Sequence, residues 1–401
     1  MTTRSEEVET MFEKVKAAID ETGGVLRLDP ALVARDWLPP GRRLGLAEED
    51  YDLGERGFVC ERWLGSTTHA DNRIGPDDEG ISYIRTSGER LNLKDAVAAA
   101  PALVMGTDYA ATHADLGRLA KIFDYGARIP YHIHPPTDQA ALVGRNSKDE
   151  AYWFPPDVDM GAHPESFYGV HPWIAEGDGA EVLLPYLEAW DDDAILKHAF
   201  AYLQVPEEGF LIESGILHAP GTALTIELQE DADTMSMFQA LNAGKIISKE
   251  MLYKDVSAED REALHERALM RWVDWKANGD PHFYDNRVLI PRTFKEAEGV
   301  DEAWVFYGSP KFSGKRLRLA PGASVVDVER GVHNLLVWRG EGTVAGHAVR
   351  GGTPGDDELL IVHDRAVEPV EIVNTGAEDL VLVKFFGPDI NPDAPRAGLK
   401  R

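Results

Sequence analysis

Two histidines one residue apart, His132 and His134 in Tyr131-His-Ile-His-Pro-Pro136, are the residues of this 401-residue chain whose type and spacing most directly suggest chemistry. Alternate residues of a strand share a face, so an H-x-H pair sets two imidazoles side by side as a chelate. Two nitrogens do not complete a metal site, which needs further ligands from elsewhere in the fold. Glu150, in Ser147-Lys-Asp-Glu-Ala-Tyr-Trp-Phe154, and His218, closing Gly209-Phe-Leu-Ile-Glu-Ser-Gly-Ile-Leu-His218, supply the candidates. In a strand Glu150 would share a side with Lys148 and not with Asp149. Two histidines from one strand, a carboxylate from the next and a third histidine from a distant hairpin form the three-nitrogen, one-oxygen set typical of a catalytic divalent ion in a barrel mouth. The single cysteine, Cys60, excludes an internal disulfide and a thiolate-rich zinc site, and reads as a buried structural thiol.

The elements that must position these groups are predicted to be strands. Between Leu119 and Gly244 short β-type runs, among them Leu119-Ala-Lys-Ile-Phe123, Gly209-Phe-Leu-Ile212, Leu224-Thr-Ile-Glu-Leu228 and Thr234-Met-Ser-Met-Phe238, are punctuated by Gly and Pro. Many short strands with turn signals indicate a barrel or sandwich. A helical stretch is expected to interrupt it from about Glu181 to Tyr202. Upstream, Thr3 and Glu6 have capping-box spacing, and Val8, Met11, Phe12, Val15 and Ile19 recur at helical intervals until Gly23-Gly24, predicting an amphipathic helix. Residues 26–90 read as strands and loops. Downstream, Ser257-Ala-Glu-Asp260 is expected to cap one connector helix carrying Leu264, Ala268, Trp272 and Trp275 on one side. Strand-like runs then return at Arg316–Ala320, Asn334–Trp338, Glu358–Val362, Val370–Val373 and Leu380–Phe386, separated by Pro321-Gly322, Gly340-Glu-Gly342 and Asn374-Thr-Gly376. They predict a second barrel, a diverged repeat of the first.

Composition narrows the partners. With 41 Lys and Arg against 69 Asp and Glu, a net charge of −28 argues against nucleic acid and anionic membrane, both of which need a basic surface. The acidic runs Glu48–Asp52 and Asp191–Asp193 read as solvated surface. No long uncharged apolar run occurs, and the acidic start Met1-Thr-Thr-Arg-Ser-Glu-Glu7 is unlike a signal peptide, so a cytoplasmic location is expected.

Taken together, Leu119-Ala-Lys-Ile-Phe-Asp124, Ile129-Pro-Tyr-His-Ile-His-Pro135, Lys148-Asp-Glu-Ala-Tyr-Trp153, Phe167-Tyr-Gly169 and Pro206-Glu-Glu-Gly-Phe-Leu-Ile-Glu-Ser-Gly-Ile-Leu-His-Ala219 resemble the type I mannose-6-phosphate isomerases of the cupin superfamily, especially their short bacterial members. Leu224–Thr234 is similar to the family's strand ending in an acidic turn, and the stretch from Trp63 to Leu93 to its opening. The resemblance spans about residues 60 to 245 and, more weakly, the C-terminal barrel. It implies a mainly β, two-domain bicupin of β-barrel or jelly-roll type: an N-terminal helix and extension (1–60), a metal-binding cupin domain (61–245), a helical connector (246–290) and a second, degenerate cupin domain (291–401).

The resemblance also implies His132, His134, Glu150 and His218 as ligands of one divalent ion, and Lys148, Glu227 and Asp233 as candidate catalytic residues, Lys148 being the first choice for acid/base. Two positions depart from the family. His132 stands where the family has glutamine, so that zinc is the first expectation but manganese, iron or nickel become alternatives. Met237 stands where the family places an arginine. In the second barrel, Asp327 and Glu329 occupy the place of an H-x-H pair, with His333 following and Val370 at the distal ligand's place, and no second metal site is expected. The implied function is a metal-dependent aldose–ketose isomerase acting on a sugar or sugar phosphate through an enediol. The alternatives are a cupin oxidoreductase of the iron or manganese dioxygenase kind, and a non-catalytic sugar-binding cupin. A carbohydrate is the expected partner, and the oligomeric state is open, a homodimer included.

Overall fold

Strands with both faces buried, one toward a barrel interior and one toward a second barrel, set the architecture. The computed structural model describes residues 2–399. One sheet runs, in spatial order, Val288–Leu289, Gly209–Ile212, Glu150–Trp153, Thr225–Gln229, Leu119–Phe123, Phe58–Leu64 and Ala31–Arg35. Opposite it lie Phe200–Leu203, Glu165–Tyr168, His218–Ala219, His132–Ile133 and Ser236–Met237. The C-terminal barrel repeats the plan: a sheet ordered Arg292–Ala297, Val300–Phe306, Ser313–Leu319, Leu380–Phe386, His333–Arg339 and Glu358–Ile361 faces Ser324–Asp327, Val370–Asn374, Glu341–Val344 and His347–Arg350.

The two large sheets pack back to back. Ala120, Ile122, Ala151, Trp153, Ile226 and Leu228 share one apolar cluster with Val305, Phe306, Leu336, Val383 and Phe385. Because successive side chains alternate, the same strands turn Glu61, Lys121, Glu150 and Glu227 into the first barrel. A buried ion cluster crosses the seam. Arg62 takes Asp357 through two bonds of 2.7 Å and Glu358 at 3.0 Å, while Glu358 also accepts the Gly65 N–H at 2.6 Å.

The N-terminal stretch joins both barrels. Val25–Asp29 pairs with Glu358–Ile361, and after Pro30 the strand Ala31–Arg35 pairs with Phe58–Leu64. Ahead of it, the helix Thr2–Thr22 buries Val15 and Ala18 against Leu26, Leu28 and Leu360. It begins before Thr3, whose side chain lies outside the described residues, and Val8 is 48 % exposed, off the packed stripe. Cys60 is buried, and burial pushes its thiol well above its ordinary range.

Two helical expectations change. The stretch expected from Glu181 to Tyr202 is a helix only over Gly179–Ala189; Trp190, at φ 50°, closes it, and after a 3-10 turn at Ala194–His198 the chain becomes the strand Phe200–Leu203 paired with Glu165–Tyr168. The three exposed aspartates that follow, Asp191–Asp193, disfavour continuation because carboxylates meet the negative end of the helix dipole. The single connector helix is three short ones, Ala258–Leu264, Arg267–Met270 and Trp275–Asn278. Ser257 caps the first as expected, accepting the Asp260 N–H at 3.1 Å, but His265 at φ 50° breaks it about two turns later. Among the described residues no helix is long and apolar enough to cross a membrane.

Removing the Arg62 guanidinium would leave Asp357 and Glu358 buried without their cation. Arg62→Met is therefore expected to cost about 3–5 kcal/mol, measured as a lowered urea midpoint, and an unchanged midpoint would show that the seam does not depend on this pairing.

Candidate metal centre

Strand pairing brings the three histidines together. His132 lies directly across from His218, on neighbouring antiparallel strands, and His134 follows on the same face as His132. Their ring centroids are 4.0, 5.0 and 5.1 Å apart. Glu150 reaches them from the opposite sheet. One ligand atom from each of the four residues falls within 4.8 Å of all the others, and the group could hold a metal ion.

Hydrogen bonding settles which nitrogen faces inward. Nδ1 of His132 bonds the Pro130 carbonyl at 2.7 Å, Nδ1 of His134 that of Thr234 at 2.7 Å, and Nδ1 of His218 that of Ile216 at 2.9 Å. A carbonyl only accepts, so each Nδ1 carries the proton and each Nε2 is left with a lone pair. Burial, reinforced by His218 and His134, holds His132 well below the usual histidine range; burial and then Lys148 push His134 down to about 3. The inward Nε2 atoms of His134 and His218 lie 3.0 and 2.9 Å from the two oxygens of Glu150, and Nε2 of His218 has no hydrogen-bond partner. Lone pairs facing a carboxylate at this distance are a set that a cation among them would satisfy. Three imidazoles and one carboxylate fit zinc, manganese, iron or nickel alike.

Behind Glu150 the barrel interior is a chain of alternating charge. Lys148 stands 2.6 Å from Glu150 and 3.3 Å from Glu227; Lys121 stands 3.3 Å from Glu227 and 3.8 Å from Glu61; Glu61 accepts Arg35 at 3.0 Å; and Arg35 grips both oxygens of Asp233 at 3.0 and 3.1 Å. Tyr152 donates to Glu150, and Tyr125 and Trp63 donate to Glu61. Burial would raise the Glu150 carboxyl, but Lys148 holds it well below the carboxylate range. Burial and then Glu150 push Glu227 up to about 8, only partly offset by Lys121 and Lys148. Burial opposes the charge on Lys148, yet Glu150 and Glu227 raise it above the usual lysine range. The same contest between burial and cations brings Glu61 down to about 2, mainly through Arg35 and Lys121, and Asp233 well below its ordinary value through Arg35 and Lys254.

All seven side chains singled out from the sequence thus lie in one barrel, none more than 5 % exposed. They divide into two places: His132, His134, Glu150, His218, Lys148 and Glu227 are linked around the candidate ligands, whereas Asp233 is tied to Arg35 and to the Asp71 N–H at 2.8 Å. Met237 is buried in the strand beside His132. His113, His163, His171 and His198 are not among the grouped ligands. Sequence reasoning missed Arg35, Glu61 and Lys121. The available signal was a lone charge inside an apolar run, as in Leu119-Ala-Lys-Ile-Phe123; the pairing of Arg35 with Asp233, 198 positions away, has no local signature.

No protein-family model and no curated protein matches the sequence. Among solved structures, mannose 6-phosphate isomerase from Bacillus subtilis is similar at a TM-score of 0.62 and 15% identity, covering 90% of this chain and 99% of that one. A point mutant of phosphomannose isomerase from Salmonella typhimurium is similar at a TM-score of 0.60 and 13% identity, covering 91% of this chain and 99% of that one. At these identities the likeness establishes the fold: the paired cupin-type barrels of the mannose-phosphate isomerases, over nearly the whole chain.

Elemental analysis of the purified protein is expected to give one divalent ion per chain. Glu150→Gln or His134→Ala should lose it, and chelation should lower the melting temperature of the parent but not of these variants. The carboxyls of Glu61 and Asp233 titrate lower folded than unfolded, so the stability they contribute is present above pH 4–5, the usual unfolded range, and is lost as pH falls through their folded values. Arg35→Met is accordingly expected to raise the acid-unfolding midpoint; an unmoved midpoint would mean that the pairing does not govern acid stability.

Proposed function

We propose that the protein is a metal-dependent isomerase that interconverts an aldose and a ketose, with a sugar or sugar phosphate as substrate. The observation that carries this reading is the placement of a proton-bearing pair, Lys148 and Glu227, directly behind Glu150 of the donor set. The fold shared with the mannose-phosphate isomerases supports it. Zinc is the first candidate ion, with manganese, iron and nickel the alternatives that His132 admits.

A divalent ion bound at the donor set would supply Lewis acidity toward substrate oxygens. The protein's share is to move a proton between adjacent carbons. Lys148, kept charged by Glu150 and by Glu227 3.3 Å away, can act as the acid toward the substrate oxygen while Glu227 takes the proton from the carbon beside the carbonyl. Glu227 is suited to hold the transferred proton because burial and Glu150 have raised its affinity for one. Returning a proton to the neighbouring carbon completes the exchange of aldehyde and ketone. Lys121 and Glu61 fix the charge behind the pair, and Asp233, held on both oxygens by Arg35, serves as a fixed anchor in this scheme. Burial of these side chains keeps bulk water from the intermediate. A cytoplasmic location accords with such a substrate.

The test is solvent deuterium exchange by the metal-loaded protein into a panel of hexoses, pentoses and their phosphates; no exchange into any of them would overturn the reading. Lys148→Met should lower kcat by about 10²–10⁴-fold while the metal content stays at one per chain. The three-nitrogen, one-carboxylate donor set also favours a second reading, a cupin oxidoreductase. Substrate-dependent oxygen uptake by the iron-loaded protein would select it.

A further inference from the structure

We infer that in the C-terminal barrel the ammonium of Lys384 occupies the place that a metal ion would take in the first barrel, so that this barrel carries a cation site filled by its own chain. Strand register equates the two interiors. In the first large sheet Glu227 pairs across from Lys121 and Trp63 across from Lys121; in the second, Lys384 pairs across from Lys315 and Trp304 across from Lys315. Glu227 lies opposite Tyr152 and Lys384 opposite Leu335; two residues earlier on those strands stand Glu150 and His333, each paired with an isoleucine, Ile212 and Ile361. In the small sheets His132 lies opposite His218, and Asp327 opposite Val370. The ligand positions of the first barrel therefore become Asp327, Glu329, His333 and Val370, Glu227 becomes Lys384, and Glu61 becomes Glu302.

The exchange is compensatory. Val370 offers no donor atom, and the inward-facing glutamate of the first barrel is replaced by a lysine whose Nζ sits 2.7 Å from each of Glu302, Asp327 and Glu329. Lys384 is fully buried, and Glu329 takes a second bond from Lys315 at 2.6 Å. Three carboxylates converging at an interior point need a positive charge there. One that is covalently attached cannot dissociate, exchange or be chelated. Since the three converging groups are oxygen donors, the cradle freed of its lysine has the chemistry for manganese or magnesium rather than for a thiophilic ion.

The equivalence rests on reading the first barrel as a metal centre, and the test separates the two. After any resident ion has been exchanged for manganese, manganese bound per chain is measured by elemental analysis and by electron paramagnetic resonance for the parent, Glu150→Gln, Lys384→Ala and the double variant Glu150→Gln/Lys384→Ala. The expected values are one, none, two and one, with the melting temperature of Lys384→Ala raised by manganese. Equal binding by the parent and Glu150→Gln would overturn the first-barrel reading alone. A folded Lys384→Ala that binds no more manganese than the parent, with a melting temperature indifferent to it, would overturn the inference. If Lys384→Ala is insoluble, refolding with manganese must restore it, and Glu302→Gln/Lys384→Ala, with one carboxylate fewer, must bind the additional ion; failure of both counts against the proposal.

Discussion

A buried carboxylate faced by imidazole lone pairs is satisfied by a positive charge between them, and much of the first barrel follows from that need. Each histidine gives its Nδ1 proton to a backbone carbonyl, which turns its Nε2 toward the centre of the group. Cationic support comes from outside the donor set, from Lys148, which in turn needs Glu227. Glu227 needs Lys121, Lys121 is shared with Glu61, and Glu61 with Asp233 needs Arg35. Each buried charge is tolerated only because the next one is in place.

The two barrels solve one electrostatic problem in different ways. Both turn a glutamate, Glu61 or Glu302, inward from a strand that also carries a tryptophan two residues on, and both place a lysine, Lys121 or Lys315, across from that tryptophan. Where the first keeps nitrogen donors and an acid, the second has acids and a lysine. Their outer faces remain alike, apolar and packed against each other, so sequence could diverge inside each barrel without disturbing the seam.

Much of this was legible in the sequence where local pattern carries information. The C-terminal strands followed from β-branched and aromatic runs bounded by turn residues, and Leu380–Phe386 has the expected bounds. The four candidate ligands were legible because alternation and hairpin spacing are local rules. The helix ends at Trp190 and His265 were not, since both residues adopt left-handed backbone without being glycine. Nor were Arg35 and Lys384 as partners of distant acids: an inward-facing lysine in an apolar strand announces that it needs a partner but not which one.

Pro30 separates a strand of one barrel's sheet from a strand of the other's. Val25–Asp29 is synthesised long before its partner Glu358–Ile361. During translation Val25–Asp29 must therefore wait for Glu358–Ile361 to emerge, whereas Ala31–Arg35, just after Pro30, meets Phe58–Leu64 early. The first barrel's own strands can pair as they are made, but the tie between the barrels closes late: a strand made ahead of the first barrel is seated only once the second exists.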